Sequence, residues 1–141
     1  MTRRNSKPRS GAAAVEAAVI LPVLLIFTIG LVVGGLGIFR YQEVSLIARE
    51  ASRWASVHGA TYQSENGIAT AVTSTDVYNG GMAPYITALD TSKLTYSVTY
   101  SPDMTSPNST VTVTVKYKWM PEAYLIGPIN LSSTSTRYMA Y

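Results

Sequence analysis

The chain contains no cysteine and a single histidine, His58. Without cysteine there is no disulfide framework, no thiol nucleophile and no thiolate metal site. One imidazole cannot build a multi-histidine centre, and no HExxH, GxSxG, GxGxxG or P-loop pattern occurs. Charge is scarce too: Asp, Glu, Lys and Arg make up 13% of the 141 residues, about half the usual share of roughly 25%. These absences exclude the common hydrolases and metalloenzymes, imply no cofactor and no small-molecule substrate, and indicate that part of the chain avoids water.

The formal charge of +3 and pI near 9.2 would suit nucleic acid, but the basic residues are not spread along the chain. Four of the eleven, Arg3, Arg4, Lys7 and Arg9, precede residue 10, leaving seven against eight acidic side chains in the rest. A nucleic-acid partner is therefore not expected. Residues 1–11 (MTRRNSKPRSG) form a polar, basic leader in which Pro8 and Gly11 oppose a helix.

Beyond it, residues 12–39 run AAAVEAAVILPVLLIFTIGLVVGGLGIF, and the 23 residues from Ala17 to Phe39 carry no charge. At about 1.5 Å per residue they extend roughly 35 Å, enough to cross a hydrocarbon core of roughly 30 Å with some tilt. A secretory signal would have an apolar core of only about 7 to 15 residues; Gly35-Leu36-Gly37 imitates its cleavage site, but the core here is too long. The basic leader faces Arg40, Arg49 and Arg53 mixed with Glu43 and Glu50 on the far side. The positive-inside bias then puts the N-terminus in the cytoplasm and everything beyond residue 40 outside.

Residues 40–59 (RYQEVSLIAREASRWASVHG) continue the helix without a breaker, and Gly59 is read as its C-terminal cap. Tyr41, Val44, Ala48, Ala51, Ala55 and His58 recur every three or four positions with Ile47 and Trp54 beside them. Glu43, Ser52, Ser56 and the other polar residues take the remaining faces. From residue 12 to 58 the expected rod is about 70 Å long. Val44, Ala48, Ala51, Trp54 and Ala55 are the residues expected between this helix and a sheet.

Residues 60–141 switch to an alternating period. Leu94, Tyr96, Val98 and Tyr100 interleave with Thr95, Ser97 and Thr99, and Val111, Val113, Val115, Tyr117 and Trp119 with Thr112, Thr114, Lys116 and Lys118. These are two half-buried strands joined by a long turn, and residues 131–141 read as a third. Between 60 and 93 the pattern is weaker. Ile68, Ala69, Ala71 and Val72 suggest a short helix, Asn79-Gly80-Gly81 a turn, and Pro84 the start of another helix ending near Asp90. The expected fold class is α+β: a long N-terminal helix, membrane-spanning in its first half and amphipathic in its second, packed on an antiparallel sheet of about three strands.

The most informative pattern is Gly11-Ala12-Ala13-Ala14-Val15-Glu16, preceded by basic residues and followed by the apolar run. With AAAVEAAVILPVLL and the later IAREASRWAS, it resembles type IV prepilin-like proteins of bacteria, most closely the TadE-like pseudopilins of tight-adherence (Tad, Flp-type) pilus systems. The resemblance covers roughly residues 3 to 58. Where related sequences commonly place an aromatic residue after the Glu, this chain has Ala17. The resemblance implies cleavage by a prepilin peptidase between Gly11 and Ala12, which makes Glu16 the fifth residue of the mature chain. It further implies membrane lipid, other pilin or pseudopilin subunits or further copies of the chain, and the Tad assembly machinery as partners. The expected location is the bacterial inner membrane, with passage into a surface pilus that supports adhesion.

A carboxylate at the edge of an apolar helix needs a cationic partner, and the new α-amino group of Ala12 would supply one. Gly30-Leu31-Val32-Val33-Gly34 is a GxxxG pattern that lets helices approach closely. Pro22 removes one backbone donor from the span. His58 is expected to cap carbonyls or fill the helix–sheet interface. Two other functions fit parts of the sequence: an unprocessed membrane-anchored scaffold of the export apparatus or envelope, and, with no usual catalytic motif to support it, an anchored enzyme.

Overall fold

The computed structural model describes residues 10–68, 72–104, 106, 108–121 and 127–140. Its dominant element is one unbroken helix, α1 (Ser10–Val57, 48 residues), which contains Pro22. Leu, Ile, Val and Ala dominate it, and lipid or packed protein, not propensity alone, is what makes so apolar a helix stable. The three strands β1 (Leu94–Ser101), β2 (Thr110–Trp119) and β3 (Ile129–Tyr138) form an antiparallel sheet with β2 in the centre.

The register puts one apolar row against α1. Leu94 pairs with Tyr117, Tyr96 with Val115 and Val98 with Val113, and on the other side Tyr117 pairs with Leu131 and Trp119 with Ile129. Val111, Val113, Val115, Tyr117 and Trp119 of β2 are all buried beneath the helix. The third strand presents smaller inward residues, Ser133 opposite Val115 and Ser135 opposite Val113. Short side chains there let α1 come close, and Ser135 Oγ shares a 2.8 Å hydrogen bond with Ser52 Oγ. The outer face is polar, with hydroxyl pairs Thr112–Thr136 at 2.9 Å and Thr114–Thr134 at 3.0 Å. The α+β architecture read from the two hydrophobic periods is the one observed. β3 begins two residues earlier than expected and stops at Tyr138.

Strand β2 runs antiparallel to the helix. Its last residue, Trp119, lies over Gly37, where a Cβ would sit 2.8 Å from the indole ring. At the other end of the sheet Met139 N–H donates to Ser109 O, and Ala140 N–H donates to Ser56 O, both at 2.8 Å. The second bond satisfies a carbonyl left open at the end of α1. Gly59 therefore does not close α1 in a left-handed turn. Its φ is −78° and it caps the start of a short helix, α2 (Ala60–Glu65), while its missing side chain admits Met139, whose Cε a Cβ would meet at 3.0 Å.

The segment between α2 and β1 differs most from expectation. The Ala69 and Ala71 portion of the helix expected there lies outside the described residues. A second short helix, α3 (Ser74–Val77), is opened by a capping box in which Thr73 and Asp76 satisfy each other's backbone N–H. The expected turn at residues 79–81 is one turn of π-helix (Tyr78–Met82) that continues α3. Pro84 sits in a single 3-10 turn (Ala83–Tyr85) and no helix runs on to Asp90. The reason is tertiary: Thr87 and Ala88 direct their N–H groups to the Glu43 carboxylate, at 2.8 and 2.7 Å.

Candidate functional site: the exposed apolar helix

Apart from the half-buried Ile29, the side chains from Ala12 to Val32 are exposed. Val19, Leu24, Ile26 and Phe27 each present more than half of their surface, Phe27 68% of it. A stretch this apolar and uncovered is unstable in water. By length and composition α1 is able to cross a membrane, and a single N-terminal apolar helix of this kind fits a single-pass membrane protein. The first side chains to pack on the folded domain are Val33 and Leu36. The length free of protein, residues 11–32, is thus about 33 Å, close to a hydrocarbon thickness of roughly 30 Å.

The residues singled out from sequence take these places. Gly11 and Ala12 lie in the first turn of α1, and Gly11 meets nothing within 4 Å. Glu16 is exposed one turn above Ala12. Gly30 and Gly34 are one turn apart on an open face, where an added Cβ meets no atom within 4 Å. At about 100° per residue Gly37 continues that stripe, but there Trp119 covers it. The folded domain therefore occupies the top of the glycine face and leaves its membrane portion free. Thr28 satisfies its hydroxyl on Leu24 O at 2.8 Å, within the helix.

Above residue 40 the helix is gripped from two sides, by the sheet and by residues 77–89. Val44, Ala48, Ala51 and Ala55 are fully buried, together with Ile47. Trp54 is partly buried and lies over Gly80 and Gly81, where no side chain would fit. It stacks on His58 at a 3.8 Å centroid distance, and His58 Nδ1 lies 2.7 Å from Trp54 O. Two-sided packing also corrects the expected polar face. Glu43, Ser52 and Ser56 are buried, whereas Tyr41, expected on the apolar stripe, is 49% exposed. The serines bury without penalty because their hydroxyls donate to Arg49 O and Arg53 O, at 2.9 and 2.8 Å.

Glu43 is the residue that sequence reasoning missed. It is 7% exposed, and Oε1 gathers the two N–H groups of Thr87 and Ala88, while Arg40, one turn earlier, donates to Ala88 O. An Arg-x-x-Glu pair just above an apolar run was the available signal, but i,i+3 charges more often mark a solvated face. Among the described residues no group of His, Asp and Glu is arranged to hold a metal.

The family model for TadE-like proteins matches residues 11–53. This part of the chain is similar to TadE-like proteins. The match spans the exposed helix and most of its packed continuation, and ends before the sheet begins. The TadE-like family is a structural, Tad-pilus-associated family of membrane proteins, which agrees with an uncovered apolar helix and with the resemblance carried by Gly11, Glu16 and the IAREASRWAS segment. No curated protein and no solved structure matches the chain.

Proposed function

We propose that this TadE-like chain is a single-pass pseudopilin or minor pilin that takes part in assembling a tight-adherence pilus and in surface adhesion, and that it catalyses no reaction. The observation that carries the reading is the coincidence of the family match with an apolar helix left bare by its own domain. Before assembly the bare helix is solvated by lipid; in an assembly, neighbouring helices replace the lipid. Gly30 and Gly34 offer the close-approach face. A prepilin peptidase cuts between Gly11 and Ala12, which requires the first helical turn to open, and a terminal turn does so at little cost. The new α-amino group then lies one turn from Glu16 on the same helix and within reach on a neighbour, where the pairing sets axial register. The N-terminus faces the cytoplasm and the sheet domain lies outside the inner membrane.

Mass spectrometry of the protein from cells containing a prepilin peptidase tests the processing step. The expected mature chain starts at Ala12; an intact leader would return the protein to the role of an anchored scaffold. Gly30→Ala with Gly34→Ala tests packing: the added Cβ meets nothing within 4 Å at either position, so the domain keeps its fold, and pilus assembly falls. Normal piliation in this double variant would refute the role given to that face.

A further inference from the structure

The end of the domain nearest Gly37 has a composition of its own. Trp119 covers Gly37, and at the same level Ile38 is 63%, Phe39 52% and Met120 48% exposed. The three lysines that follow the leader, Lys93, Lys116 and Lys118, also gather here. Lys116 and Lys118 stand on the outer face of β2, next to Trp119. Lys93 ends the 3-10 turn (Thr91–Lys93) that leads into β1, whose first residue pairs with Tyr117. Together they line a groove of about 610 Å³ with Ser92, Thr95, Asn130 and Ser132. Lys93 pairs with Asp90 at 3.2 Å; among the described residues neither Lys116 nor Lys118 has a carboxylate partner. The acidic residues Glu65 and Asp103 belong to α2 and the β1–β2 connection, at the other end of the domain.

We propose that this end of the domain is a docking surface for the anionic phospholipid headgroups of the bilayer that α1 crosses. The inference rests on the membrane-spanning reading above and adds a partner for the folded domain. Three observations converge on it. The bare helix ends at Val32 after about 33 Å, so the hydrocarbon boundary falls just below Gly37. Ile38, Phe39 and Met120 then meet the interfacial layer, and the Trp119 ring, only 4% exposed, is buried just behind them against Gly37, close enough to report on that layer. Lys116 lies about 10 Å along the strand from Trp119 and Lys118 about 3 Å, so flexible side chains bring both ammonium groups within a Debye length of the phosphates. The uncharged rim thus sets the depth and the lysines favour anionic lipid beside the sheet. The domain is thereby held upright on the surface.

The test uses the full chain reconstituted in phosphatidylcholine vesicles containing a minor fraction of phosphatidylglycerol. Bromine is placed near the headgroup of one lipid or the other, and Trp fluorescence is read. Trp54, about 25 Å further along α1 than Gly37, serves as the unquenched reference. Trp119 is expected to be quenched about twofold more by brominated phosphatidylglycerol than by brominated phosphatidylcholine at equal mole fraction. The excess should fall with added salt and vanish in the K93Q/K116Q/K118Q variant, whose circular dichroism should match the parent because these side chains are exposed. Equal quenching by the two lipids would overturn the anionic preference. A Leu24→Trp variant, with bromine deep in the acyl chains, separates the premise. If the indole introduced in the span is quenched and Trp119 is not quenched by either shallow lipid, the docking surface is refuted while the span stands. If the introduced indole is not quenched, the span fails and the docking surface with it.

Discussion

Replacing Glu43 by Ala tests how the helix holds the segment that leads into the sheet. Oε1 accepts from Thr87 N–H at 2.8 Å and Ala88 N–H at 2.7 Å, and the carboxylate is 7% exposed. Hydrogen bonds to a charged group contribute about 1.5–3 kcal/mol each, which sets a ceiling near 3–6 kcal/mol for two. Thr87 and Ala88 are themselves exposed, so water recovers part of the loss when the carboxylate goes. Oε2, buried without a hydrogen-bond partner, opposes the gain in the native protein. A loss of about 2–3 kcal/mol is the expected balance. Glu43→Gln keeps one carbonyl acceptor for the same two donors and should lose about half as much. The assay is amide hydrogen exchange of the full chain in detergent micelles, read at Thr87 and Ala88, with urea unfolding as the global measure. Exchange at these two amides should accelerate by a factor of about 30 to 150 in Glu43→Ala. Unchanged protection there, whatever happens globally, would refute the claim that Glu43 anchors the segment.

Gly81→Ala should destabilise the domain by about 1–3 kcal/mol in urea unfolding, because its Cβ would lie 2.9 Å from Ala51 Cα, a backbone atom that has no rotamer to move; parent-like stability would contradict that close approach. In a double-mutant cycle, Ser52→Ala and Ser135→Ala should show a coupling of about 0.5–1.5 kcal/mol through their 2.8 Å bond, and strict additivity would show that the two hydroxyls do not interact. The Asp76 carboxyl, held by the backbone and hydroxyl of Thr73, should titrate below its ordinary 3.8. The sign follows: the native state binds the proton less tightly than the unfolded chain, so the cap's contribution is present above pH 3.8 and is lost as pH falls through the lower native value. NMR titration of Asp76 in Thr73→Ala should return the midpoint toward 3.8, and an unmoved midpoint would sink that account.

Much of the candidate site was legible because it is linear. A bare helix in lipid has no tertiary partner within its own chain, so an uncharged run of 23 residues, its flanking charges and the Gly11–Glu16 spacing could be read directly. The strands were legible for a related reason: with one face on a helix and one in water, β1 and β2 alternate strictly. Glu43 was not, because a second layer, residues 77–89, covers a helix face that periodicity alone assigns to solvent; nor were Ser52 and Ser56, because β3 and the residues after it lie against that face, with Ser135 bonded to Ser52 and Ala140 N–H to Ser56 O. Gly80 and Gly81 read as a turn between two short helices, whereas they form the flat surface on which Trp54 rests.

What the sequence by itself determined, then, is the division of the chain: a basic N-terminal stretch, a helix too apolar for water, and an alternating segment that must form a half-buried sheet. These follow from hydrophobic period and length, which are local properties. Only the tertiary structure decided that Trp119 lies on Gly37, that the domain begins to cover the helix at Val33, that Glu43 turns inward to collect two backbone donors, and that Lys93, Lys116 and Lys118 share one end. Each of those facts joins residues far apart in the chain or depends on the packing of such residues. Local patterning can state which faces must be buried, but the register between helix and sheet selects the partner.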